Sequence, residues 1–186
     1  MNDLFEHPVY LEAYRFAEVR HLGQTRKDDR GTPYIQHPIA VVSVLVNVGA
    51  VRDVDVLAAA LLHDVIEDTE TRLDEMRQRF GTRITRIVEE VSDDKRLPKI
   101  ARKYLQVRGA PYLSPEARLV KLGDKICNLV DILESPPKGW DLRRKAQYFD
   151  WAKDVVDGLR GSSAPLEARF DEIYQRKSEL KGSFLS

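Results

Sequence analysis

The sequence predicts an all-α fold, a helical bundle of roughly eight to ten helices occupying residues 1–186 as a single domain. Two observations carry that expectation. Apolar residues recur three and four apart in almost every segment, and no segment alternates convincingly with period two. Proline and glycine fall between these segments, where they start or stop helices.

Pro8 sits near the first turn of a first helix carrying Val9, Leu11, Tyr14, Phe16, Ala17 and Val19. A charged, turn-rich stretch follows from Gly23 to Tyr34. By composition Ile39 to Val51 suits a strand as well as a helix. Pro38 at a first helical position and Gly49 near the end favour the helix. A third helix runs from about Asp53 to Asp68, with an acidic cap and the packed run Ala58-Ala59-Ala60-Leu61-Leu62.

Leu73 to Phe80 stops at Gly81, a good terminator, and Thr82 to Val91 resumes with Ile84, Ile87, Val88 and Val91 at helical spacing. Pro98 opens a helix over Lys99 to Arg108, which ends before Gly109-Ala110-Pro111. Ser114-Pro115-Glu116 reads as cap, first-turn proline and first-turn acid of a long helix to Glu134. Ser135-Pro136-Pro137-Lys138-Gly139 breaks the chain. Helices from about Asp141 to Leu159 and from Pro165 to Leu180 complete it.

Thirty basic residues balance thirty acidic ones, so overall charge makes no case for nucleic acid or membrane binding. The longest apolar run, Ile39 to Val51, carries Ser43 and Asn47 and is too short to span a bilayer. Met1-Asn2-Asp3-Leu4-Phe5-Glu6 lacks the basic flank and apolar core of a leader peptide. Cys127 is the one cysteine, which precludes an intrachain disulfide and fits a reducing compartment. It is expected to be a small buried apolar residue with no chemical role. A soluble cytoplasmic protein is the expectation; oligomeric state is not legible.

Chemistry concentrates in Leu61-Leu62-His63-Asp64-Val65-Ile66-Glu67-Asp68-Thr69, where an imidazole and three carboxylates follow an apolar run. Charges at the end of a buried helix are costly unless paired, and a bound cation is the usual partner. On one helix His63 would stand beside Glu67, and Asp64 beside Asp68; downstream, Asp124 and Asn128 are again four apart. With His37, the set His37, His63, Asp64 and Asp124 offers two nitrogen and two carboxylate ligands. That mixture suits Mn²⁺ or another divalent ion with open positions.

Glu67 and Asp68 are placed to move protons to and from an attacking water or a leaving oxygen. Arg26, Lys27, Lys95, Lys99, Arg102 and Lys103 could neutralise phosphate charge, Asn128 could bond a ribose hydroxyl or phosphate, and Tyr34, Trp140 and Tyr148 offer aromatic faces. Taken singly, several of these residues read otherwise. His37 before Pro38 reads as a cap or a satisfied core histidine, Asp124-Lys125 as a surface ion pair, and the lysines and arginines as solvated helix faces.

The ordered set His37, His63-Asp64 and Asp124 resembles the HD-domain metal-dependent phosphohydrolases. Arg26-Lys27 with Gly31-Thr32-Pro33-Tyr34-Ile35-Gln36-His37-Pro38, the His63-Asp64 segment, and Leu119-Val120-Lys121-Leu122-Gly123-Asp124-Lys125-Ile126-Cys127-Asn128-Leu129 resemble the hydrolase domain of the RelA/SpoT family. Asp93-Asp94-Lys95 with Leu97-Pro98-Lys99, and Trp140 with Tyr148-Phe149-Asp150-Trp151, are similar to the stand-alone small alarmone hydrolases, the subgroup like the metazoan SpoT homologue.

The resemblance implies Mn²⁺-dependent hydrolysis of the 3′-pyrophosphate of guanosine tetra- or pentaphosphate, (p)ppGpp, to GDP or GTP and pyrophosphate. It implies His37, His63, Asp64 and Asp124 as metal ligands and Glu67 and Asp68 as the catalytic pair. Arg26, Lys27, Lys99, Asn128 and Tyr148 carry over as substrate contacts, with Tyr34 beside them. The chain has no room for the synthetase of long members, so degradation without synthesis is expected. It departs from the pattern at Asp28-Asp29-Arg30, which adds negative charge to a phosphate-contacting loop. It departs again at Ile126-Cys127, where long members more often show Leu-His. Two other readings stay open: a phosphatase for another ribose phosphate such as the 2′-phosphate of NADPH, and a non-catalytic alarmone-binding regulator.

Overall fold

The computed structural model describes residues 4–180. Residues 1–3, at the head of the segment read as lacking a leader, and residues 181–186 lie outside it. Among the described residues the architecture is all α, and the sole β feature is an isolated antiparallel bridge between Thr25 and Pro33.

Helix α1 (Pro8–Arg20) starts with Pro8 at its first position, and the His7 ring accepts from the Val9 N–H. Helix α2 (Gln36–Asn47) begins two residues before the predicted proline start, so Pro38 is the third helical residue. That costs nothing, since the first four N–H groups of a helix have no internal partner. Helix α3 (Val54–Leu62) is capped by Asp53 as expected but stops at Leu62. The predicted continuation to Asp68 is instead a separate single turn, α4 (Val65–Asp68), beyond a break at His63-Asp64.

Helix α5 (Leu73–Val91) contains both segments expected around Gly81. Gly81 takes φ +77°, a left-handed conformation that a side chain would resist, and bends the run there. Helix α6 (Lys99–Gly109) follows Pro98, and a 3₁₀ turn spans Ala110–Tyr112. Helix α7 (Pro115–Glu134) is capped by the Ser114 hydroxyl, which accepts from the Ala117 N–H. Helix α8 (Leu142–Asp157) is capped by Asp141. The last predicted helix divides into α9 (Ala164–Gln175) and a 3₁₀ turn, Arg176–Glu179.

Helix α3 is apolar all round from Val56 to Leu62 and every one of those residues is buried, as a helix without a polar face requires. It packs against α1, α2, α5 and α7, and α7 in turn packs against α2, α5, α8 and α9. These two helices are the centre of one apolar core. Gly123 lets α2 approach α7 closely, because a Cβ there would lie 3.2 Å from side-chain atoms of both Leu45 and Val41. No described helix is long and apolar enough to cross a membrane.

Candidate active site

The centre of the bundle brings together residues that lie far apart in the chain. His37 is the second residue of α2, His63 caps the C-terminus of α3, and Asp124 lies midway along α7. One donor atom from each lies within 4.8 Å of the others. His37 Nε2 is 3.1 Å from Asp124 Oδ1, and His63 Nε2 is 3.8 Å from the same oxygen. Asp64 stands outside that trio. Its Oδ2 lies 3.1 Å from His63 Nε2 and accepts a 2.6 Å hydrogen bond from the Tyr34 hydroxyl.

The donor set fits a divalent cation. His63 Nδ1 is 2.7 Å from the Ala60 carbonyl, one of the acceptors left unpaired at a helix end. In the neutral ring the proton belongs on that nitrogen, which leaves Nε2 its lone pair. Nε2 is buried and has no partner in hydrogen-bond geometry, the Asp64 oxygen being out of line. A buried, unpaired imidazole nitrogen facing carboxylates is what a cation site needs.

The electrostatics agree. Burial disfavours the His63 imidazolium, but Asp64 and Asp124 outweigh burial and raise its pKa to about 9. Burial lowers the pKa of His37, and the Asp124 hydrogen bond only partly offsets it. Both acids are held below the usual carboxylate range despite burial, Asp64 by His63 and Asp124 by the Lys125 ammonium and the two imidazoles. Without a cation, a proton on His63 balances this acidic pocket; a bound cation would take over that role.

Glu67 and Asp68 lie on α4. Sequence spacing offered these two acids no structural partner, yet both have one. Glu67 accepts from the Asp93 N–H at 3.1 Å and lies 3.4 Å from Arg102 Nη1. Asp68 pairs with Lys95, and its other oxygen is 3.1 Å from the Tyr34 hydroxyl. Burial, with repulsion from Asp64, raises the Glu67 pKa to about 7. At that value the carboxyl can give and take a proton near neutrality.

A cleft of about 1040 Å³ opens beside these groups, and Arg26, Lys27, Tyr34, Lys99, Asn128 and Tyr148 all line it. His37, Glu67 and Asp68 line it too, whereas His63, Asp64 and Asp124 do not. Lys99 and Lys103 have no carboxylate within ion-pair distance among the described residues. Burial and neighbouring cations, Arg144 and Lys27 for Lys99, and Lys99 and Lys125 for Lys103, lower both their pKa values. Such an excess of positive charge is relieved by an anion. Trp140, Tyr148 and Trp151 form the aromatic wall, with ring centres 5.7 and 5.1 Å apart in succession.

The Gly23–Tyr34 loop is held in place by the Thr25–Pro33 bridge and by the Lys138 N–H, which donates to the Lys27 carbonyl at 2.6 Å. The extra negative charge expected at Asp28 is turned onto Thr32, whose hydroxyl and N–H both donate to it. Arg26 is already engaged, donating to Asn128 Oδ1 at 3.1 Å and to Asp131.

Several residues here escaped sequence reasoning. Asp124-Lys125 is not a surface pair: Lys125 is buried and Asp124 only 13% exposed, with Lys125 Nζ 3.0 Å from Asp124 Oδ2. Lys121 is buried as well, donating to the Val91 carbonyl at 2.7 Å. Spacing pointed the other way, since Lys121, Asp124, Lys125 and Asn128 fall three and four apart, as the solvent-facing stripe of an amphipathic helix does. His37 is no cap, because Ile35 holds that position. Trp151, whose ring centre lies 4.5 Å from the ammonium groups of both Lys103 and Lys125, gave no sequence signal beyond its place in an aromatic cluster. Cys127 is buried, as expected.

The chain is similar to known proteins in sequence and fold. The HD domain family matches residues 13–148. The human guanosine-3′,5′-bis(diphosphate) 3′-pyrophosphohydrolase MESH1 is 50% identical over 167 residues, covering 90% of this chain and 93% of that one. The guanosine-3′,5′-bis(diphosphate) 3′-pyrophosphohydrolase of Aquifex aeolicus is 38% identical over 96% of this chain but only 24% of its own length. A solved structure of a metazoan ortholog of SpoT, described as hydrolysing ppGpp and playing a role in starvation responses, superposes with a TM-score of 0.90. It is 43% identical, over 92% of this chain and 96% of that one.

Proposed function

The chain belongs to the HD-domain family, in the branch of the MESH1 guanosine-3′,5′-bis(diphosphate) 3′-pyrophosphohydrolases, and from that premise we propose that it hydrolyses the 3′-pyrophosphate of (p)ppGpp with Mn²⁺ as its metal. One observation carries the reading: a cation-fitting trio, His37, His63 and Asp124, meets a lysine-rich cleft through His37, Glu67 and Asp68. The whole chain acts as one catalytic domain in the cytoplasm, on a small nucleotide rather than a nucleic acid.

His37, His63 and Asp124 would hold the ion, with Asp64 completing the set. When bound, the ion supplies Lewis acidity that stabilises charge on the phosphoryl oxygens and acidifies water. Lys27, Lys99 and Lys103 bind the phosphates, and their lack of carboxylate partners favours the trianionic and tetraanionic ends of the substrate. Asn128 and Tyr148 hold the ribose, and the Trp140–Tyr148 wall packs against it.

Water attacks the phosphorus joined to the ribose 3′ oxygen, and the bond between them breaks. Glu67 takes the proton from the attacking water, and the departing 3′ oxygen receives one through Asp68. The products are GDP or GTP and pyrophosphate, so atoms balance with one water consumed.

Purified protein given ppGpp and Mn²⁺ should release pyrophosphate, and a chelator should stop it. A larger rate on NADPH, measured alongside, would transfer the assignment to that ester. Tight binding of ppGpp without pyrophosphate release would make the protein a regulator.

A further inference from the structure

The Tyr34 hydroxyl lies between two carboxylates that serve different purposes. It is 2.6 Å from Asp64 Oδ2 and 3.1 Å from Asp68 Oδ2. One acid belongs to the ligand set, and the other to the proton-handling pair. The phenol ring is itself fixed. His21, buried where α1 ends, packs on it with ring centres 4.7 Å apart, and the Arg26 guanidinium sits 5.5 Å from the ring centre on the cleft side.

His21 is fixed in its turn. Its Nδ1 is 2.9 Å from Gln24 Oε1, and the Gln24 amide donates to the Asp68 carbonyl at 2.9 Å. A short chain thus runs from α1 through Gln24 and His21 to Tyr34, and it returns to both ends of α4. Aromatic residues that serve only as substrate platforms have no need for a hydroxyl locked onto the acids behind them.

We propose that Tyr34 is a positioning residue, whose hydroxyl orients Asp64 for the cation and holds Asp68 at a fixed distance from it. The inference rests on the metal-dependent reading above. The phenol carries one proton, which the 2.6 Å contact directs at Asp64; at 3.1 Å Asp68 shares it only weakly, and that sharing eases the repulsion between the two acids. The Asp64 oxygen that the phenol engages, Oδ2, is also the one 3.1 Å from His63 Nε2, so the hydroxyl fixes the oxygen that faces the ligand set.

Tyr34→Phe removes one oxygen atom and keeps the ring, the packing on His21 and the contact with Arg26. Calorimetric titration of wild type and variant with Mn²⁺ alone, followed by kcat and KM for ppGpp at saturating Mn²⁺, separates the possibilities. The expected result is a Kd for Mn²⁺ raised about tenfold, a lower kcat and a KM within about twofold of wild type. Unchanged Mn²⁺ affinity with a raised KM would assign the hydroxyl to the substrate and overturn the inference. Unchanged affinity and kinetics with only a lower Tm would reduce it to packing. Should wild type itself fail to bind Mn²⁺, the metal-dependent reading falls first, a result distinct from both.

Discussion

Lys125 Nζ lies 3.0 Å from Asp124 Oδ2, the lysine buried and the acid largely so, and the cation-fitting carboxylate thus already carries a fixed positive partner. Burial alone would discharge Lys125, yet Asp124 raises its pKa above the ordinary lysine value. The ammonium is further seated 4.5 Å from the centre of the Trp151 ring.

Breaking a buried pair leaves one charge uncompensated, at a typical cost of about 3–5 kcal/mol. Lys125→Met should therefore lower Tm strongly in metal-free protein. Added Mn²⁺ should restore much of the loss, because a second positive charge arrives beside Asp124. Thermal melts with and without Mn²⁺ test this. An equal Tm deficit under both conditions would mean that the ion does not reach Asp124.

Asp64→Ala should abolish turnover, by at least about 100-fold in kcat, while the helical circular dichroism stays that of wild type. Asp64 is the acid that most favours the His63 imidazolium, so the variant should also lower the His63 pKa from about 9. Histidine resonances followed by NMR in metal-free protein give that second reading.

Glu67 is raised to about 7 by burial and by Asp64. A base works only when ionised, so kcat/KM should rise with pH through about 7 before levelling. Glu67→Gln should remove that limb and leave a flat residual rate. A wild-type profile already flat from pH 5 to 8 would exclude Glu67 as the base.

Lys121 is lowered from its ordinary 10.5 to about 8, first by burial and then by repulsion from Lys125. Between those two values the unfolded chain binds the proton that the folded one has released, so folding stability rises with pH. Below about pH 8 both states are protonated and the cost of burying the charge is fully present. Lys121→Met should remove this dependence, worth on the order of 2–3 kcal/mol across the window. Urea unfolding of both proteins at pH 7.5 and pH 10 measures it, and parallel shifts would refute it.

The helices were largely legible because their signals are local. Ser114-Pro115 and Asp53 cap where their side chains can reach the next N–H groups. The errors have local physical causes too. Asp53 to Asp68 is helical by composition throughout, but the His63 ring takes the Ala60 carbonyl and ends the helix there. His63-Asp64 and Glu67-Asp68 were visible as a cluster of charges that apolar neighbours could not explain. Their partners were not, because Lys95, Asp93 and Tyr34 reach them from other elements.

By itself the sequence determined the helical class, the apolar centre at Ala58–Leu62 and the residue types able to bind a cation and a phosphate, since spacing and composition are properties of the chain. Only the tertiary structure decided which donors share a site. It drew His37, His63 and Asp124 within 4.8 Å, set Asp64 one step aside against Tyr34, and buried Lys121 and Lys125 beneath the cleft. Those distances follow from how α2, α3 and α7 pack, and no pattern along a single helix encodes the approach of another.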